Sequence, residues 1–183
     1  MITILGVAIT LVLVGDLSLP IPNLFGGLHF GVPLALLIPV AVAIVVAWGL
    51  GAGDPLVEAV ASRPIRLLDT AYALAAATLM LVVGACIYAL GTTTLVLSAG
   101  RNVLGYVGLM LVGRRILGTQ AAAVLPAGVV IGTALLGRRS DGQPRWWAWP
   151  LADADNAWAW GIAVLLLLIG ALITLMRTDV TAD

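Results

Sequence analysis

The longest apolar run in the chain extends from Leu67 to Leu97, and Asp69 is the one charged side chain within it. As a helix it would be about 45 Å long, more than the ~30 Å hydrocarbon core of a bilayer requires. It therefore reads as one helix that tilts or projects beyond the membrane. A water-soluble fold has no use for such a segment. Composition extends the argument to the whole chain. Of its 183 residues, 62% are hydrophobic and 10% are charged, where soluble domains carry about 25% charged residues. With a mean hydropathy of +1.13, this chain cannot cover its own surface in water, and lipid is most of its solvent.

Read this way, the chain is an all-α, polytopic membrane protein forming a single transmembrane domain over 1–183, with no soluble domain. About six spans are expected, at roughly 2–18, 32–50, 67–97, 102–115, 116–136 and 157–176. The first run has no positive flank and no small-residue cleavage site, so it is kept as a span and not read as a signal peptide. Residues 17–31 are apolar but interrupted by Pro20, Pro22, Gly26, Gly27 and Gly31, which predicts a loop or a re-entrant segment. The fourth run lies between Arg101 and the pair Arg114–Arg115. Its dozen or so apolar residues cover only about 18 Å.

Charge patterning gives an orientation. With both termini cytoplasmic, Arg63, Arg66, Arg114, Arg115 and Arg177 fall inside, and Arg101, Arg138, Arg139 and Arg145 fall outside. The short loops weigh most, and there the inner side leads. All nine cations are arginine, a usage that fits a GC-rich bacterial genome; with its multiple spans, the chain is expected in a bacterial plasma membrane. The formal net charge is zero, so nothing points to a nucleic-acid partner.

Five of the six tryptophans cluster late in the chain: Trp146, Trp147, Trp149, Trp158 and Trp160. Asp155 or Asn156 is positioned to cap the last helix, which puts the cluster at headgroup depth. An aromatic belt at the membrane interface is the first reading. An aromatic platform for a lipid or amphipathic substrate is the second.

No catalytic constellation is legible. His29 is the single histidine and stands apart from any Cys, Asp or Glu at metal-ligand spacing, so neither metal nor other cofactor is expected. The G-x-x-x-x-G-K-[ST] motif is impossible without lysine, so any ATPase activity would belong to a partner. Cys86, the single cysteine, reads as a small core hydrophobe. Asp16 and Asp69 stand at span ends and read as interfacial residues, with a buried proton or substrate site as the alternative. Arg101 and Asn102 form either a turn whose arginine snorkels to the surface, or the edge of a half-helix facing a polar cavity. Gly128 and Gly132 form a G-x-x-x-G suited to close helix packing, and Gly105 and Gly108 present small residues in the fourth run.

Residues 54–69 combine an apolar strip (Leu56, Val57, Val60) with the charges Glu58, Arg63 and Arg66. This predicts a short amphipathic helix, either seated in the groove of a partner or lying on the membrane surface.

The stretch GRNVLGYVGLMLVGRRILG, the proline-bearing run after it, the GRR exit, the WWAWP loop and the final apolar helix together carry a resemblance. Over residues 98–170 the chain resembles the small membrane subunits that accompany ATPase chains in actinobacterial ABC exporters of the type-2 permease kind. The resemblance implies a permease subunit that oligomerises with itself or a sister membrane chain, is driven by a separate ATPase, and moves an amphipathic substrate. Two alternatives fit a six-span chain of this size: a membrane assembly or regulatory subunit of a larger complex, and the substrate-binding component of an energy-coupling-factor vitamin importer.

Overall fold

The computed structural model describes residues 6, 10, 17–22, 29–51, 65–91 and 93–176. Most of the expected first span, including Asp16, lies outside these residues. So do Leu56, Val57, Glu58, Val60 and Arg63 of the expected coupling segment.

The described chain is a helical bundle with one hairpin ahead of it. Strands β1 (Ser18–Pro22) and β2 (His29–Pro33) pair antiparallel, with Ser18 opposite Pro33 and Pro22 opposite His29. The segment expected to be a loop or re-entrant is thus a ribbon closed on itself. Proline is tolerated there because both strands of a two-stranded ribbon are edges, so a missing N–H need not break a ladder. The short helix α1 (Leu34–Leu37) and then α2 (Pro39–Gly51) follow. Pro39 opens α2, where its fixed φ suits the first turn.

Helix α3 runs from Ile65 to Ala89 and α4 from Thr94 to Leu117. The expected single helix over 67–97 is therefore two. Gly91 turns the chain at φ +86°, a conformation that costs glycine nothing. The Thr93 side chain then caps α4 by accepting from the Leu95 N–H at 3.1 Å. Because α4 starts at Thr94, the fourth run is no half-length segment. It is the second half of a helix about 36 Å long. Residues 98–102, expected to be a turn, are interior turns of that helix. Gly118, at φ +84°, ends it, and Arg114 and Arg115 occupy its last turn, where cations favour the carbonyl end of the dipole.

The expected span 116–136 is also shorter than its apolar run. Helix α5 covers Val124–Leu136, about 20 Å, too little to cross lipid unaided. Pro126 lies in its first turn, where no intrahelical bond is lost. A polar loop with a single 3₁₀ turn (Trp149–Leu151) leads to α6, Ala157–Leu175. Asn156 caps α6 by accepting from the Ala159 N–H at 3.0 Å. Three helices, α3, α4 and α6, are long and apolar enough to cross a membrane.

Helix α4 is the centre, packed mainly on α6, α3 and α2. Its contact with α6 is a backbone contact made possible by two glycines. A Cβ on Gly170 would sit 2.6 Å from the Gly108 carbonyl oxygen, and one on Gly108 would enter the backbone of Leu166. Small residues allow this approach, which favours dispersion where lipid supplies no hydrophobic drive. The outer faces stay apolar, with Leu165, Leu168 and Leu172 of α6 exposed. Cys86 also faces outward from α3, so it is not the core residue expected.

Candidate functional site

Helix α4 carries two arginine-centred clusters, one within its first half and one in its last turn. Toward the 138–156 loop, Arg101 and Asn102 are fully buried. All three guanidinium nitrogens of Arg101 donate. Nη1 donates to the Asp153 carbonyl at 2.8 Å. Nη2 donates to the carbonyls of Trp149 at 3.1 Å and Ala152 at 2.9 Å. Nε and Nη2 both reach Asn102 Oδ1, at 3.3 and 3.2 Å, and Asn102 Nδ2 donates to the Pro150 carbonyl at 3.0 Å. The pair thus collects four carbonyls in and after the 3₁₀ turn; those of Trp149 and Asp153 also accept the backbone N–H groups of Ala152 and Asn156, while those of Pro150 and Ala152 are met by Asn102 and Arg101. Neither the snorkelling turn nor the cavity edge matches this placement. The charge is inside the protein, and its neighbours are backbone oxygens 48 to 52 residues further along the chain.

The same turn accounts for one tryptophan. Trp149 is buried against Tyr106, with ring centroids 5.5 Å apart, and fills the space that the absent side chain of Gly105 leaves. It belongs to the core and not to an interfacial belt, because Pro150 and the Arg101 bonds hold its backbone in a turn directed into the bundle. Trp146 and Trp158 do face outward, 72% and 61% exposed. They are joined by a bond from Trp158 Nε1 to the Trp146 carbonyl at 3.2 Å. Trp147 and Trp160 are half-buried, and Trp160 Nε1 donates to the Ala154 carbonyl at 2.8 Å.

At the other end of α4, Arg114 Nη1 donates to Asp69 Oδ2 at 2.6 Å and Nη2 to the Leu50 carbonyl at 3.3 Å. Asp69 is therefore an ion-pair partner joining α3 to α4. Arg66, Asp69, Arg114 and Arg115 line a shallow cleft with Leu111 and Thr174. In the sequence, Arg114 and Arg115 mark only the end of a run and its side of the membrane. The signal available was the coincidence of a carboxylate at the start of one apolar run with an arginine pair at the end of the next.

Gly128 and Gly132 were expected at a helix contact. Among the described residues nothing lies within 4 Å of a Cβ built on either, and Gly108 with Gly170 takes that role within the chain. No group of three or more His, Cys, Asp or Glu able to hold a metal occurs among the described residues. No family model, curated protein or solved structure matches the chain.

Proposed function

We propose that the chain is the membrane-embedded permease subunit of an ATP-driven transporter. In this reading it sits in a bacterial plasma membrane, associates with a sister chain or a second copy of itself, and moves an amphipathic substrate using a separate ATPase. The observation that supports a subunit role is α5. This helix is too short to cross lipid alone, and Gly128 and Ile131 on it are exposed. A small-residue face of this kind fits a helix from another chain. The transport part of the reading rests on the resemblance over 98–170. The coupling contact with that ATPase belongs to the amphipathic stretch within 51–68, whose last residues form the first turn of α3.

Purification from native membranes in mild detergent tests the proposal. The expected outcome is an oligomer with a co-purifying ATPase whose hydrolysis responds to substrate. Gly128→Leu with Gly132→Leu should release the companion membrane chain while the bundle stays folded, because nothing described crowds either glycine. A lone monomer with no companion overturns the reading. An assembly or regulatory subunit is the second reading. Arg101 favours it, because its nitrogens are occupied by carbonyls and leave no charge to face a substrate. A co-purifying complex without any ATPase would select it.

A further inference from the structure

The end of α2 and the connection from α4 to α5 enclose a cleft that neither reading uses. Ala47, Trp48 and Gly51 line it from α2, and Thr119, Gln120 and Ala123 from the connection. The two sides touch where the Thr119 methyl lies 3.3 Å from a Cβ built on Gly51. The adjacent Leu50 carbonyl accepts from Arg114 in the last turn of α4. The cleft therefore sits beside the end of a helix long enough to cross a membrane, at the level where hydrocarbon gives way to headgroups.

Size and lining narrow the occupant. The hollow measures about 290 Å³, close to the ~300 Å³ at which small-molecule pockets begin. That is room for one ring system and not for a peptide. No charged side chain lines it, so the enclosed part of a ligand is uncharged. Ala47, Gly51 and Ala123 give small walls, which suit a flat ring. Trp48 stands at the mouth, 77% exposed, and brings an indole for a ring to stack on. Thr119 and Gln120 are exposed beside it. Among the described residues the Trp48 N–H, the Thr119 hydroxyl and the Gln120 amide have no hydrogen-bond partner, whereas Trp158 and Trp160 each donate to a carbonyl. Indole only donates, while hydroxyl and amide donate and accept. Donors thus outnumber acceptors, and a ring carrying carbonyl oxygens matches them.

We infer that this cleft is a binding site for an uncharged flat ring bearing carbonyl groups on a hydrocarbon tail, the chemistry of a lipid-soluble quinone. The ring lies between Trp48 and the small walls, its carbonyls accept from Gln120 and Thr119, and the tail runs into lipid. The inference does not rest on the permease reading, because all six lining residues belong to this chain.

The test is native mass spectrometry of the purified full chain titrated with decylubiquinone. Decyl glucoside, decyl phosphate and decyltrimethylammonium form separate arms with the same tail. The quinone should bind saturably and the others should not. Trp48→Leu should weaken it about ten-fold, and Trp48→Phe should restore most of that. Gln120→Leu should weaken it about five-fold. Gln120→Glu keeps the acceptors and loses both amide donors, so it should weaken binding at least as much. Trp158→Leu, at another exposed tryptophan, should change nothing. Trp48 and Gln120 are exposed, so these variants leave the bundle folded. Equal binding of all the probes, which would mark the tail alone, overturns the proposal. Unchanged quinone binding in Trp48→Leu and Gln120→Leu does so too. A preference for the glucoside that strengthens in Gln120→Glu reassigns the cleft to a sugar headgroup and overturns the quinone. Saturable binding of only the phosphate or only the ammonium probe overturns the uncharged ligand.

Discussion

Arg101 and Arg114 lie on the same helix, thirteen positions apart (114 less 101), and solve the problem of a cation in a membrane protein in opposite ways. Arg114 lies at the last turn of α4, partly exposed, and meets a carboxylate. Arg101 is fully buried and gathers backbone carbonyls instead. The difference follows from what each end offers. At the Arg114 end, the start of α3 supplies Asp69. At the Arg101 end, a proline-containing 3₁₀ turn folds over the bundle with its carbonyls inward. A planar guanidinium with five N–H groups can serve several such oxygens at once. One arginine therefore fastens a loop, while the other joins two helices through an ion pair.

The largest expected effect comes from breaking the buried end. Arg101→Leu leaves the Ala152 carbonyl without its donor inside the protein, at about 1–3 kcal/mol, and strips a second donor from the Trp149 carbonyl, which keeps the Ala152 N–H at 3.2 Å. Thermal unfolding in detergent should drop sharply, and trypsin should cut at Arg138, Arg139 and Arg145 in the loosened loop. Arg101→Lys keeps the charge but presents one nitrogen for three, so it should fall between wild type and Arg101→Leu. A lysine variant that melts like wild type would show that the carbonyl clamp contributes little.

A medium effect distinguishes two tryptophans that a sequence reader would group. Trp149→Leu removes a buried ring from the face of Gly105 and Tyr106 and should cost about 2–4 kcal/mol. Trp158→Leu alters an exposed ring and should leave the melting temperature within about a degree while shifting fluorescence in lipid. Equal costs would place both rings in one environment and remove the contrast.

The smallest effect belongs to the exposed end. Asp69→Asn or Arg114→Gln should cost about 1 kcal/mol or less, since the pair is partly solvated. That cost should shrink in 1 M salt, while the Arg101 variants keep theirs. Salt-independent loss at Asp69 would mean that both ends are sealed alike.

The boundary between α3 and α4 is written locally but is invisible to hydropathy. Gly91 followed by Thr92, Thr93 and Thr94 is a helix stop and a cap in sequence. Hydropathy runs through it unbroken, because glycine and threonine carry no charge. Arg101 and Asn102 read as a turn for the converse reason: a charge between apolar runs marks a surface only when nothing inside can receive it. Its receivers lie about fifty residues away, beyond any window.

What the sequence determined by itself was local or collective. The excess of apolar residues made lipid the solvent, and the extent of the last helix with its Asn156 cap was legible, because hydropathy and capping depend on neighbours along the chain. The tertiary structure alone decided that Arg101 is buried and Arg114 half-exposed, that Trp149 is core and Trp158 surface, and that Gly108 packs while Gly128 stays open. Each of these pairs is chemically identical in sequence. They differ only in which atoms of distant segments come to lie against them, and that is settled by packing across the bundle.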